Sequence, residues 1–312
     1  MASEEGMGSR QAPTEVVVVI LNFNNAEETI QCVDSLANSD GRQRPIIVID
    51  NGSIRSDKIR LESALSQRTH LIALKENVGV AAGWNCAIRR AMESYNPDFV
   101  FLLNNDTIVD SGLIDELLLF ASSSSSIGAM GPSIMRHDRR GEHQYPRHRG
   151  LTKPILDGRL SGCSLMIRMQ AIVEVGLFDE DYFAYGEESD FLERINKRGW
   201  KTYYVPTKAK VYHKGAETSS RISGFEAYHK TRNRLLFAGK NLEGMRLLAN
   251  LGSFFFKALP LELCRDFASI DRRVRLRNRA RGFIDGLRLY MSARKRFDES
   301  ERTREHERQY LK

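Results

Sequence analysis

Four times in its first 103 residues the chain sets a short apolar run ahead of a polar turn. The runs are VVVVIL at 16–21, PIIVI at 45–49, HLIA at 70–73 and FVFLL at 99–103. They are too short for helices, and their β-branched and aromatic content suits strands covered on both faces. Between them, Ile30, Val33, Leu36 and Ala37 recur at helical spacing within 26–38. Further helices are expected over 57–66 and through Ala87, Ile88 and Ala91. A strand–helix unit repeated in this way leaves few alternatives to a parallel sheet with helices packed on it. The expected class is α/β, a Rossmann-like, mostly parallel sheet flanked by helices.

The turns carry the chemistry. The strand ends read Asn22 and Asn24, then Asp50, Asn51, Gly52 and Ser53, then Asn77, Val78 and Gly79, then Asn104, Asn105 and Asp106. Asn, Asp and Gly are ordinary turn residues one at a time. Four such ends on the edge where open α/β sheets bind ligands point instead to a shared site. Asp106 is a carboxylate preceded by two amides, and an acid there can hold a divalent cation that in turn holds a pyrophosphate. Asp50 can accept an N–H from a uracil or thymine ring. Gly79 and Gly83 would let the backbone pass close to a phosphate or sugar.

Farther along, a helix over 112–120 capped by Asp110, a strand over 128–135 and a basic, mobile loop over 136–153 are expected. Strand pattern returns at 160–167, and a short helix over 169–175 is closed by Gly176. A helix over 187–197 stops at Gly199, strands 202–205 and 209–213 flank Pro206, a flexible lid spans 214–224, and a helix spans 225–240. Glu187, Glu188 and Asp190 cluster at a helix start. Acidic residues favour that position through the helix dipole. Beside a cation site, a carboxylate whose pKa is raised by like charge and a dry pocket can also act as a base. His213 ends a strand and is structural or a ligand. Arg232 either pairs with a diphosphate or lies on a solvated helix face.

Taken in order, the segments at 16–24, 46–53, 77–85, 102–107, 161–166, 176–194 and 205–213 resemble family 2 glycosyltransferases of the GT-A fold. The resemblance covers about 14–240 and leans toward the rhamnosyltransferase-like members. It implies that Asn104-Asn105-Asp106 is a DxD-like motif, with Asp106 holding Mg²⁺ or Mn²⁺ across a donor pyrophosphate. Asn104 departs from the usual first carboxylate and could offer a carbonyl oxygen to the metal or hold the ribose. The resemblance further implies that Glu188 is the base of an inverting transfer, with Glu187 the runner-up and Asp190 orienting the acceptor or bracing the helix. His213 would reach the metal or the pyrophosphate. Asn22, Asn24, Asp50, Asn51, Ser53, Asn77, Gly79, Gly83, Asn104, Asn105 and Arg232 would line the donor site. The partners implied are a nucleoside-diphosphate sugar and a glycan or lipid-linked glycan acceptor. A scaffold that binds nucleotide without catalysis is the competing reading. A sugar-nucleotide-forming enzyme would need a glycine- and arginine-rich phosphate loop, which 16–25 lacks.

Charge separates the chain into two parts. From Gly239 onward there are 18 Lys and Arg against 10 Asp and Glu, while the whole chain carries +7. A basic tail suits an anionic surface, and without aromatic interleaving a membrane fits it better than nucleic acid. Two or three amphipathic helices are expected over 241–312, and 1–14 reads as a disordered lead-in to a catalytic domain over 15–240. The apolar stretch 247–261 contains Asn250, Lys257 and Pro260 and falls short of the ~20 residues of a spanning helix. Cys32, Cys86, Cys163 and Cys264 form no CxxC pair, which argues against a disulfide scaffold or zinc site and for a cytosolic setting, peripheral to the membrane at most.

Overall fold

A computed structural model describes residues 15–39, 44–65, 69–138, 141–215 and 223–310. The lead-in and most of the expected lid fall outside them. The apolar runs are strands: β1 (Val16–Asn22), β2 (Ile46–Asp50), β3 (Thr69–Ala73) and β4 (Phe99–Asn104). The helices between them are α1 (Ala26–Ser39), α2 (Arg55–Ala64) and α3 (Val80–Ser94). β1 lies between β2 and β4, parallel to both, with β3 outside β2. The chain therefore winds outward from β1 to β3 and returns across it to β4. Such a reversal of strand order opens a crevice at the carboxyl ends of the two central strands.

The unbroken valine run of β1 follows from burial on both faces. Val16, Val18 and Ile20 pack with Val33, Leu36, Phe101 and Leu117 on one side. Val17 and Val19 pack with Ile47, Ile88, Leu102 and Phe191 on the other. The sheet continues beyond β4 through β10 (Ser164–Arg168), β6 (Ile127–Gly131), β11 (Lys201–Tyr204) and β9 (Ile155–Leu156). β10 runs antiparallel to both its neighbours.

A second, four-stranded sheet has the order β5 (Thr107–Val109), β12 (Val211–His213), β7 (Ile134–Asp138) and β8 (Gly141–Gln144). The region expected to be a mobile loop over 136–153 thus supplies two strands and a short 3₁₀ turn, Pro146–His148. Asp157 secures it. Its carboxylate takes a bidentate pair from Arg147 at 2.7 and 2.8 Å and a contact from His148 at 2.7 Å, while His148 stacks on Tyr204. The expected strand over 128–135 is two strands, one in each sheet. Asp110 does not cap α4 (Leu113–Ala121) with its side chain; its carboxylate accepts the Lys210 N–H at 2.9 Å and ties β5 to β12.

α5 (Met169–Val175) and α6 (Glu187–Lys197) form where the pattern places them. α7 (Phe225–Asn241) leads to an unbroken helical run: α8 (Gly244–Ser253), a π turn (Phe254–Ala258) and α9 (Leu259–Phe267). That run, Gly244–Phe267, has 24 residues and is long and apolar enough by length and composition to cross a membrane, contrary to the sequence expectation. The π turn lets the helix continue through Pro260, which lacks an N–H and breaks regular α geometry. The long helix α10 (Arg272–Tyr310) then packs back along α7. Gly282 and Gly286 permit that approach, since a Cβ at Gly282 would lie 2.3 Å from the Tyr228 carbonyl oxygen.

Candidate active site

The β1/β4 crevice is walled by a buried polar network. The Asn22 amide donates to Asp50 at 3.0 Å, Ser53 at 3.1 Å and Asp57 at 2.8 Å. Its carbonyl accepts the Thr29 hydroxyl at 2.8 Å. Asn24 holds a left-handed φ of 53°; its N–H donates to Ser53 and its side chain accepts the Ile54 N–H, both at 2.8 Å. Asn22, Asn24 and Ser53 therefore shape the crevice wall by binding one another. Asp50 is fully buried, and one of its carboxylate oxygens has no partner. Burying an unpaired carboxylate oxygen is costly, which sets this atom apart from the satisfied polar groups around it.

Asn51 and Asn77 join the β2 turn to the turn ahead of α3. Asn51 donates to Asn77 and to the Gly79 carbonyl, both at 3.1 Å, and accepts the Val78 N–H at 3.0 Å. Asn77 accepts the Gly79 N–H at 2.9 Å. The glycines fit against protein here. A Cβ on Gly79, which has a φ of 88°, would strike the Phe183 carbonyl oxygen at 2.5 Å, and one on Gly83 would strike Leu21 at 2.6 Å. Close backbone packing, more than space for a phosphate, accounts for both.

Asp106 and His213 meet through the pairing of β5 with β12, which sets His213 opposite Thr107, the next residue after Asp106. Asp106 Oδ1 lies 3.2 Å from His213 Nε2, and Oδ2 accepts the Gly215 N–H at 3.1 Å. The other ring nitrogen of His213 bonds the Tyr145 hydroxyl at 2.8 Å. His213 Nε2 is buried without a well-aligned hydrogen-bond partner. Burial works against charge on this imidazole, but Cys163 in its thiolate form and the Asp106 carboxylate outweigh it and push the pKa up to about 12. A cation between the two side chains would reverse that balance, because a ligand histidine must be neutral. One carboxylate and one imidazole, oriented by Tyr145, are oxygen and nitrogen donors of the kind that would hold a Mg²⁺ or Mn²⁺ whose remaining ligands came from outside the chain. Among the described residues no larger group of His, Cys, Asp or Glu is placed to hold a metal.

The DxD-like tripeptide does not act as a unit. Asn105 is buried, and its amide points back to Thr29 at 3.1 Å and to the Asn25 carbonyl at 3.3 Å. In this arrangement Asn105 fixes the start of α1. Asn104 is half-buried at the rim, and its N–H donates to the Cys163 carbonyl at 3.0 Å.

That bond brings in the acidic cluster. In the same turn, a Cβ at Gly162 would touch Trp84 at 3.1 Å and Glu188 at 3.5 Å. The turn at 161–163 thus sits between the end of β4 and Glu188. Glu188 is half-buried, with Oε2 accepting the Gly186 N–H at 3.3 Å, and burial raises its pKa against that bond. Glu187 is more deeply buried, with one unpartnered oxygen; burial and then the Glu188 charge raise it well above a normal carboxyl. Asp190 uses both oxygens internally, on Arg194 at 2.8 Å and Asn241 at 2.7 Å. These bonds tie the start of α6 to its next turn and to the end of α7. Arg232 donates to the Asp181 carbonyl at 2.8 Å and to Asn233, which ties it to the 181–185 loop.

Sequence reasoning passed over several residues. Asn233 is buried and donates to the Ala184 and Tyr185 carbonyls at 2.8 and 2.7 Å, holding Tyr185 at a φ of 67° just ahead of the glutamates. Its signal was a polar residue on the buried side of a helix. Asp57 read as a helix-start residue, Thr29 lay inside the expected helix over 26–38, and Tyr145 lay in the supposed loop.

The glycosyl transferase family 2 model matches residues 17–216, which spans every strand and turn of this site. The chain belongs to that family. It is 29% identical over 255 residues to N-acetylglucosaminyl-diphospho-decaprenol L-rhamnosyltransferase of Mycobacterium tuberculosis, covering 69% of this chain and 81% of that one. It is 24% identical over 217 residues to dTDP-rhamnosyl transferase RfbF of Shigella flexneri, covering 63% and 71%. Residues 1–349 of S. aureus TarS share the fold, with a TM-score of 0.59 at 14% identity, over 87% of this chain and 80% of that one. This is a family 2 glycosyltransferase with the GT-A α/β fold, and its relatives include rhamnosyltransferases.

Proposed function

We propose that this glycosyltransferase moves a rhamnosyl group from dTDP-rhamnose to a hydroxyl of a lipid-diphosphate-linked glycan, with inversion at the anomeric carbon. The observation that carries the donor half is the orphaned oxygen of buried Asp50, an acceptor suited to the ring N–H of thymine or uracil. The names of the two rhamnosyltransferase relatives support the sugar, and RfbF's name supports the nucleotide. Asp106 and His213 would hold a Mg²⁺ or Mn²⁺, which supplies positive charge to the leaving diphosphate.

The remaining chemistry belongs to the chain's own side chains. Glu188 stands at the site with its pKa raised by burial, which makes it a stronger base than an ordinary carboxylate. It removes the acceptor O–H proton as that oxygen attacks the anomeric carbon, and the bond from that carbon to the diphosphate oxygen breaks. Asn233 keeps the loop ahead of Glu188 in place. A cytosolic setting goes with this reading, since all four cysteines are free.

The test is a pair of variants. Asp106→Ala loses metal-dependent donor binding, measured by calorimetry with dTDP and Mn²⁺. Glu188→Gln binds donor like the parent but transfers about 10²–10⁴-fold more slowly, the usual range for losing a general base. Normal transfer by the Glu188→Gln protein contradicts the base assignment.

A further inference from the structure

The helical run Gly244–Phe267 is attached to the body at few points. Only 6% of its most apolar window is buried. Eleven of the eighteen exposed large hydrophobic side chains among the described residues fall at or after Met245. They include Met245 and Phe256, at 80% and 88% exposure, Phe267, and Ile270, which is fully exposed. Isolated surface apolar residues need no explanation, but a concentration of this kind marks a face that meets something apolar.

Charge tells which apolar partner. Between 244 and 295 there are twelve Lys and Arg against four Asp and Glu. Part of that charge is spent internally. Arg275 and Arg279 clamp the buried Asp266, with Arg275 at 2.8 Å and Arg279 at 2.5 Å, and Arg246 pairs with Glu193. Arg265, Arg272, Arg273 and Arg277 are exposed, and no side-chain partner is recorded for them among the described residues. Large apolar side chains beside unspent arginines match the interface of an anionic bilayer, where the rings enter the acyl boundary and the guanidinium groups meet phosphate head groups. A protein partner would be expected to leave fewer charges of one sign unanswered.

The attachment points decide how the run engages. Phe254 is buried under Arg234, Asp266 is locked to α10, and α10 packs on α7 through Gly282 and Gly286. Crossing a bilayer would tear all three contacts and would carry the Asp266 bridge into hydrocarbon. Lying in the plane of one leaflet keeps them.

We infer that residues 244–277 form a monotopic anchor that seats this enzyme on an anionic membrane surface without crossing it. The inference gives a purpose to the lipid-linked acceptor proposed above, but vesicle binding requires no nucleotide, so the two readings fail separately. The experiment is co-sedimentation of the full chain with vesicles of phosphatidylcholine, alone or with 30–50% phosphatidylglycerol (roughly the anionic range that recruits polybasic segments). Two variants accompany it: Phe256→Ser/Phe267→Ser/Ile270→Ser, and Arg265→Gln/Arg272→Gln/Arg273→Gln/Arg277→Gln. All these side chains are exposed, so the melting point stays near the parent's and reports any misfolding. As a second readout, Phe256→Trp emission shifts to the blue on anionic vesicles.

The expected result is binding to the anionic vesicles only, reduced at least tenfold in each variant. Absence of parent binding overturns the anchor, and equal binding to both vesicle types overturns the role of the arginines. Unchanged binding by the apolar variant means adsorption by charge alone and overturns insertion. A parent that is oligomeric without lipid, and that the apolar variant turns monomeric, means that a second copy covers the face and overturns the lipid assignment.

Discussion

Asp50 keeps an unpartnered oxygen in a fully buried side chain, and Glu187, at the other wall, does the same. The two atoms ask for different tests. If the Asp50 oxygen receives a thymine N–H, Asp50→Asn weakens dTDP binding roughly 10- to 150-fold, the ~1.5–3 kcal/mol of a hydrogen bond to a charged group. Calorimetry checks this, and unchanged affinity would contradict it. For Glu187, burial and Glu188 raise the folded pKa above the value near 4.5 of an unconstrained glutamate. The folded state then holds the proton more tightly than the unfolded state, so stability is full below pH 4.5 and is lost as pH rises through the raised value. Glu187→Gln removes that loss. The variant melts higher than the parent at pH 8 and shows a smaller advantage at pH 5; a gain that is the same at both pH values contradicts the buried, protonated carboxyl. The residue types of the site were legible because polar strand ends on one sheet edge are rare outside ligand sites. Their directions were not. Asn105 and Asp190 look like ligands in a motif, yet their partners, Thr29, Arg194 and Asn241, are brought together only by tertiary packing.

Among the elements, the parallel strands were readable because burial on both faces writes an unbroken apolar run. The second sheet was legible only in part, because its strands are short, partly polar, and paired with distant segments. β12 falls within the expected strand over 209–213, but β5 has three residues and gains its register from β12, so no local periodicity announces it. The C-terminal helices were half-legible: their charge was plain, but Lys257 and Pro260 disguised a helix that a π turn keeps continuous. The contact between α7 and α10 makes a sharp prediction. Gly282→Ala places a methyl group 2.3 Å from the Tyr228 carbonyl oxygen, so the helices must separate. The expected cost is about 1–3 kcal/mol, the usual range for overpacking; chemical denaturation measures it, and a neutral substitution would mean the helices do not meet there. Asp266→Asn leaves Arg275 and Arg279 without their shared carboxylate. Breaking one side of a buried pair costs about 3–5 kcal/mol. Hydrogen exchange should then rise along α9 first, while the strands of the central sheet stay protected.

For the whole molecule, one sheet edge gathers the candidate donor site, and every part of it depends on the return of the chain from β3 across β1 to β4. The β1–β2 pairing sets Asn22 beside Asp50, the crossing to β4 sets Leu21 beside Asn104, and the 161–163 turn then carries the site across to Glu188. The nucleotide and its cation should therefore stabilise the fold as a unit, because they bridge elements far apart in sequence. The most direct measurement is a thermal-shift series on the purified chain with dTDP, UDP, GDP or CDP, each with Mn²⁺, Mg²⁺ or EDTA. At about a hundredfold excess over Kd, bound ligand adds ~2.7 kcal/mol, which for a domain of this size is a rise of roughly 5 °C. The account predicts that rise with dTDP and a divalent cation, a smaller one or none with GDP and CDP, and its loss with EDTA or in Asp106→Ala. A rise with GDP but not dTDP, or a dTDP response indifferent to both EDTA and Asp106→Ala, would contradict the site described at Asp50, Asp106 and His213.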